Sequence, residues 1–111
     1  MILHKINIKP LSINQASKGR RFKTPKYTKF EYDLLLILPK SIYIPKDKIK
    51  LIFEVGYSNA GADIDNFAKV TIDVLQKKYG FNDNKIYKLE IEKFVVKKGE
   101  EFIAFKFLDY F

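Results

Sequence analysis

The chain has 111 residues, 47% of them apolar, which favours one globular domain with a modest core. The absence of cysteine excludes disulfides, thiolate nucleophiles and zinc sites built on sulfur, and a single histidine leaves carboxylate oxygens as the main ligands for any metal, which favours Mg²⁺ or Mn²⁺. The formal net charge of +8 suits a polyanion such as nucleic acid, although AT-rich coding also produces a lysine excess.

The composition also bears on domain count and location. We expect one domain over residues 1–111, because no linker, repeat or low-complexity segment interrupts the chain. No stretch approaches the roughly 20 consecutive apolar residues of a membrane span, and residues 1–5 lack the order of a signal peptide. The expected location is therefore the cytosol, with no membrane partner.

The first part of the chain predicts a strand, a basic loop and a helix. Residues 2–9 alternate with apolar side chains on one face, which indicates a strand. Residues 10–23 are polar and basic and predict a loop. Thr24 is a favourable N-cap with Pro25 at the first helical position, and apolar residues then recur at helical spacing until Pro39.

The second part predicts a strand, a helix and two strands. Alternation over residues 48–57 indicates a strand, and an apolar stripe over residues 66–79 indicates a helix that Gly80 would cap. Residues 86–96 and 101–108 predict two strands joined by a charged hairpin tip. The predicted order is β-α-β-α-β-β, an α+β fold with a mixed sheet and two helices.

The residues that predict chemistry stand at the start of the second helix. Asp63 and Asp65 are two residues apart, so in an extended chain they would share a face, with Cα atoms about 6.5 to 7 Å apart, and could bind one cation. Lys69 follows one helical turn after Asp65. A cation held in this way polarises a phosphodiester and activates water, and a lysine stabilises the extra negative charge of the pentacovalent state.

These acids also have other interpretations. Aspartate is a favoured N-cap, so acids before a helix more often cap it than bind metal. A calcium loop of the EF-hand type is excluded, because Phe67, Ala68 and Val74 stand where a ligand, a glycine and a glutamate are required. Asp83 lies between two asparagines, and ordinary turn chemistry explains it unless the fold returns it beside Asp63.

Three further residues are expected to support such a site. Asp73 lies one turn beyond Lys69 and is expected to orient that lysine through an ion pair, with simple exposure to solvent as the alternative. Asn66 stands beside the acids at the start of the helix. Phe81 lies in a loop beside Asp83, where its ring could stack on a base, although most of the chain's aromatic residues occupy core positions.

The spacing of these residues forms an extended motif. It reads Asp63-x-Asp65-Asn66-x-x-Lys69-x-x-x-Asp73-x-Leu75, then Gly80-Phe81-x-Asp83-x-x-Ile86 and a later Lys93, with Pro10-Leu11-Ser12-Ile13-Asn14 and Lys23-Thr24-Pro25-Lys26-Tyr27 nearer the start. This pattern closely resembles the RusA family of Holliday junction resolvases, commonly encoded by phages and prophages. The resemblance covers nearly the whole chain. One departure is Asn82 before Asp83, where family members often have two consecutive acids.

The resemblance implies a homodimer that binds four-way DNA junctions and makes paired nicks with Mg²⁺ or Mn²⁺. It assigns the family's essential acids to Asp63, Asp65 and Asp83, and its essential lysine to Lys69. Two other functions remain open: a DNA-binding accessory protein that does not cut, and a nuclease for flaps or forks.

The predicted loop over residues 10–23 is the candidate DNA-binding arm. Lysine and arginine on a loop can follow a phosphate backbone without reading bases, although a solvated loop has the same composition. The candidate contacts are Asn14, Lys18, Arg20, Arg21 and Lys23. Lys93, Lys97 and Lys98 are candidates for extending this surface.

A two-fold dimer would match a two-fold junction. The apolar final strand, residues 101–108, is the candidate edge for pairing two subunits.

Overall fold

The computed structural model describes residues 2–18 and 22–111 as an α+β fold on a mixed four-stranded sheet. The elements in chain order are β1 (His4–Ile6), α1 (Ile13–Ala16), β2 (Ser17–Lys18), β3 (Phe22–Lys23), α2 (Pro25–Ile37), β4 (Ile49–Tyr57), α3 (Ala68–Tyr79), a 3-10 helix (Asp83–Lys85), β5 (Ile86–Val95) and β6 (Phe102–Asp109). The predicted fold class is confirmed, and the two predicted helices correspond to α2 and α3. None of the helices within these two ranges has the length and apolar content to cross a membrane.

The sheet order is β1-β6-β4-β5. β4 pairs with β5 in parallel and with β6 antiparallel, and β6 pairs antiparallel with β1. Two adjacent parallel strands require a crossover connection, and α3 provides it between β4 and β5. The turn that enters α3 therefore begins at the carboxyl end of the central strand β4.

Two predictions about the last strands are wrong. β5 and β6 do not form a hairpin, because β4 lies between them: Phe53 is in register with Ile91 on one side and with Phe105 on the other. The chain crosses the end of β4, where the Val96 backbone N–H donates to the Tyr57 carbonyl at 2.7 Å. β6 is also an interior strand, so the predicted pairing edge is occupied, and β1 and β5 are the sheet's edges.

The core lies between the sheet and the two longer helices. Alternate residues of β4 are almost fully buried and pack with Leu34 of α2 and Leu75 of α3. Phe53 contacts Phe67 edge to face, with ring centroids 5.1 Å apart. This aromatic contact lies directly behind the turn that carries the candidate acids, and it gives that turn a rigid base.

The N-terminal segment is more structured than predicted. β1 covers only three residues of the predicted strand over residues 2–9, because the chain turns where the Ile8 N–H donates to the Ile6 carbonyl at 3.0 Å. The predicted loop over residues 10–23 contains the short helix α1 and the strand pair β2 and β3. Short elements of this size leave no usable hydrophobic period in the sequence.

The predicted ends of the helices are largely confirmed. The Thr24 side chain caps α2 by accepting a hydrogen bond from the Tyr27 N–H at 3.2 Å, and Gly80 ends α3 in the left-handed conformation with φ of 74°. α3 begins at Ala68, two residues later than predicted, because the Ala68 N–H donates to the Asp65 carbonyl at 3.1 Å within a preceding turn.

Candidate active site

The turn between β4 and α3 carries the first two candidate acids. Asp63 and Asp65 are both exposed in this turn, which replaces the extended conformation that their spacing suggested. Asn66 donates through its side-chain amide to the Asp63 carboxylate at 3.1 Å. The Asn66 carbonyl also accepts from the Ile13 N–H at 2.9 Å, so α1 is tied directly to the acid-bearing turn. Asn66 therefore both orients Asp63 and connects this turn to the N-terminal segment.

Lys69 connects the helix to the third candidate acid. Its ammonium group donates to Asp73 at 3.0 Å, which is the ion pair that helical spacing predicted, and to Asp83 at 3.4 Å. The hydrogen bond to Asp73 is the largest influence and raises the pKa of Lys69. Burial opposes it, and the Asp83 carboxylate adds a smaller increase. Lys69 is thus a cation at neutral pH, and 60% of its side chain is exposed to solvent.

Gln76 completes this group of side chains and was missed by the sequence analysis. Its side-chain oxygen accepts from the Asp83 N–H at 2.9 Å, and its amide donates to Asp73 at 3.4 Å. The four residues form a closed ring of contacts in which Lys69 and Gln76 both bridge Asp73 and Asp83. In the sequence, the spacing of residues 69, 73 and 76 places them on one helix face, and this spacing could have predicted that Gln76 lies beside Asp73.

Asn82 stands directly before Asp83, at the position where the motif would have a second acid, and it has a structural role in this chain. Its side chain caps the 3-10 helix by accepting from the Asn84 N–H at 3.0 Å. Phe81 is partly buried and packs edge to face on Phe107, with centroids 5.1 Å apart. Both residues therefore help to fix the loop that presents Asp83 to Lys69.

Tyr57, at the end of β4, is a second residue that the sequence analysis missed. Burial raises the pKa of Tyr57 to about 12, and the negative charges of Asp65 and then Asp63 add to the increase. Its hydroxyl oxygen is buried without a hydrogen bond of ordinary geometry in the described ranges, and the nearby backbone of Phe67 lowers the pKa against these influences. The hydroxyl is therefore a neutral donor that lies within electrostatic reach of both turn acids.

The donor chemistry of these residues fits Mg²⁺ or Mn²⁺. Asp63, Asp65 and Asp83 all offer hard carboxylate oxygens, which are the ligands that these cations prefer. In the described part of the chain, no three His, Asp or Glu side chains already converge on one metal position. The third acid is instead held by Lys69.

The candidate DNA-binding residues lie partly on described elements. Arg20 and Arg21 fall outside the described residues. Asn14 is exposed on α1, and Lys18 lies in β2, paired in register with β3. The ammonium group of Lys23 lies 4.6 Å from the centre of the Tyr27 ring, which is a cation–π contact.

An open cleft of about 430 Å³ lies between the N-terminal segment and the acid-bearing turn. Its lining includes Lys9, Gln15, Tyr57, Asp63 and Asn66. Polar groups from α1, the end of β4 and the turn therefore face one solvent-filled space beside the first candidate acid.

Comparison with known proteins gives one family match. The family model described as Endodeoxyribonuclease RusA matches residues 7–104 of the 111-residue chain. A search of curated proteins gives no significant match. The matched range includes α1, both acid-bearing segments, Lys69 and Gln76.

Proposed function

Because this chain belongs to the endodeoxyribonuclease RusA family, we propose that it resolves Holliday junctions by paired cuts that depend on Mg²⁺ or Mn²⁺. In this proposal residues 1–111 act as one domain in DNA recombination and repair. Asp63, Asp65 and Asp83 are the metal ligands. Lys69 stabilises negative charge at the phosphate.

The contact between Lys69 and Asp83 is the observation that carries this proposal. The two residues are 14 positions apart and come from different elements, yet the ammonium group lies 3.4 Å from the carboxylate. Turn chemistry alone would not bring Asp83 to a lysine on α3. The contact therefore supports a common site for the two halves of the motif.

The side chains have separate tasks in hydrolysis. A bound divalent cation supplies Lewis acidity that polarises the phosphodiester and lowers the pKa of water. Asp63 and Asp65 are exposed, so both would be able to hold that cation at the protein surface, where a DNA phosphate can reach it. Asp73 accepts from the Lys69 ammonium group, and Gln76 contacts both Asp73 and Asp83. These contacts position Lys69, whose side chain is 60% exposed and therefore accessible to a phosphate.

DNA would approach from the side of the N-terminal segment. We assign phosphate contacts to Asn14, Lys18 and Lys23, together with Arg20 and Arg21, because α1 is bonded to the acid-bearing turn and lines the same cleft. A homodimer would place two such sites symmetrically about the two-fold axis of a junction. The expected setting is the bacterial cytosol, with a phage or prophage as the source.

Cleavage of a labelled four-way junction tests this function. The native protein should make paired nicks with Mg²⁺ or Mn²⁺, and both EDTA and Asp65→Asn should abolish them while junction binding persists. Asp33→Asn is the matched control, because it makes the same change at an ion-paired carboxylate of α2 and should cut normally. Binding without cutting under every condition would identify an accessory protein. Equal cutting of forks and flaps would identify a broader branched-DNA nuclease.

A further inference from the structure

Lys93 occupies an unusual position on the edge strand β5. It is in register with Val55 of β4, whose side chain is fully buried, and it is two residues from the partly buried Ile91. Neighbours in register share a face of the sheet, so Lys93 stands at an inward-facing position where an apolar residue would ordinarily pack. Packing alone therefore does not account for a lysine here.

The ammonium group of Lys93 is bonded to the turn that leads to Asp63. It donates to the Ala60 carbonyl at 3.0 Å and to the Ala62 carbonyl at 2.9 Å. Within the described ranges, Lys93 forms no ion pair with a carboxylate. Its charge is thus directed at two neutral carbonyls, and the second of them belongs to the residue that immediately precedes Asp63.

The remaining hydrogen bonds of this turn are mostly local. The Asn59 side chain accepts from the Gly61 N–H at 2.9 Å, and its carbonyl accepts from the Ala62 N–H at 3.2 Å. These bonds shape the turn but do not attach it to the sheet. The Ser58 hydroxyl donates to Glu101 at 2.9 Å and ties the start of the turn to the residue before β6. Lys93 makes the attachment nearer to Asp63, because it joins β5 to the two carbonyls on either side of Gly61.

We propose that Lys93 is a positioning residue for the metal ligand Asp63: its ammonium group holds the turn against the sheet and thereby places the first acid for cation binding. This inference rests on the proposed nuclease function. Partners that orient a metal ligand typically contribute ten- to a hundredfold to metal affinity. Lys93→Met, which retains the aliphatic length, should therefore weaken Mn²⁺ binding about tenfold.

The experiment compares three variants with the native chain. Lys93→Met removes both hydrogen bonds, and Lys93→Arg keeps donors that can reach both carbonyls. Lys88→Met is the matched control, because it removes the same charge from β5 at an exposed residue that pairs with Glu90. Free Mn²⁺ is titrated by electron paramagnetic resonance, junction affinity is measured in EDTA, and cleavage is followed as the Mn²⁺ concentration is raised.

We expect Lys93→Met alone to bind Mn²⁺ about tenfold more weakly, to recover cleavage at high Mn²⁺ and to bind the junction normally in EDTA, with Lys93→Arg largely restored. Mn²⁺ affinity equal to that of Lys88→Met would overturn the inference. So would self-association at unchanged Mn²⁺ affinity, which would mean that the inward charge only protects an edge strand. A native chain that neither binds Mn²⁺ nor cuts would overturn the proposed function, and this inference with it.

Discussion

Replacement of Lys69 by methionine should affect metal binding and cleavage in opposite directions. The lysine ammonium group lies 3.4 Å from Asp83 and 3.0 Å from Asp73. It therefore partly neutralises a carboxylate that the proposed site needs as a metal ligand. The same positive charge is needed again when negative charge accumulates on the phosphate. Lys69→Met frees the ligand and removes the stabilising charge together.

The size of each effect follows from the exposure of the site. With 60% of the Lys69 side chain and 40% of the Asp83 side chain exposed, the ion pair is strongly screened and contributes about 0.5 to 1 kcal/mol. Release of Asp83 should therefore tighten Mn²⁺ binding about two- to fivefold. Loss of a donor that stabilises transition-state charge costs about 10²- to 10³-fold in turnover.

Two measurements on one preparation test this prediction. Mn²⁺ affinity is measured without DNA by electron paramagnetic resonance, and single-turnover cleavage of a four-way junction is measured at saturating Mn²⁺. Lys29→Met is the matched control, since Lys29 also pairs with an aspartate one helical turn away, Asp33, but on α2. The control should leave both quantities unchanged.

Two results would contradict the roles assigned to Lys69. Weaker Mn²⁺ binding in Lys69→Met would mean that the lysine orders the ligands more than it competes for them. Cleavage within a few fold of the native rate would remove Lys69 from the chemistry.

Two further predictions concern the surroundings of the site and the packing of α2 on α3. Gln76→Met should slow cleavage at limiting Mn²⁺ about tenfold, because the Asp83 N–H loses its acceptor, and an unchanged single-turnover rate would contradict this. Where α2 packs on α3, the Lys77 ammonium group lies 2.7 Å from the Glu31 carboxylate. Burial alone would raise the pKa of Glu31, but hydrogen bonds from Lys77 and Tyr27 hold that pKa below its usual value. A lowered carboxyl pKa contributes stability above the unfolded value near 4.5 and loses it as pH falls through the folded value. Lys77→Met should therefore cost about 0.5 to 1 kcal/mol in urea unfolding at pH 7, and this cost should shrink as the pH falls below 4.5, whereas a cost that does not change with pH would rule out the ion pair as its cause.

The local features of the fold were readable from the amino-acid sequence. Thr24 and Pro25 predicted the start of α2, and Gly80 predicted the end of α3, because caps depend on the hydrogen bonds of a few consecutive residues. The helical ion pair between Lys69 and Asp73 was predictable for the same reason, since four residues make one turn.

The order in which the strands pair could not be predicted from local sequence patterns. Alternation identified β5 and β6 as strands but not their neighbours, and the predicted hairpin failed because β4 pairs with both of them. An alternating pattern records which face of a strand is buried, whereas the choice of partner depends on the whole sheet. The apolar character of β6 reflected an interior strand and not an exposed edge.

The amino-acid sequence identified the residues that could carry the chemistry, namely the acids Asp63, Asp65 and Asp83 together with Lys69, and it excluded a sulfur ligand. The tertiary structure alone brought Asp83 to Lys69, and the same holds for the contact of Lys93 with the turn before Asp63. These contacts join residues 14 to 33 positions apart. The chemistry of a side chain is fixed by its residue type, whereas residues that are far apart in sequence come into contact only when strands pair and helices pack.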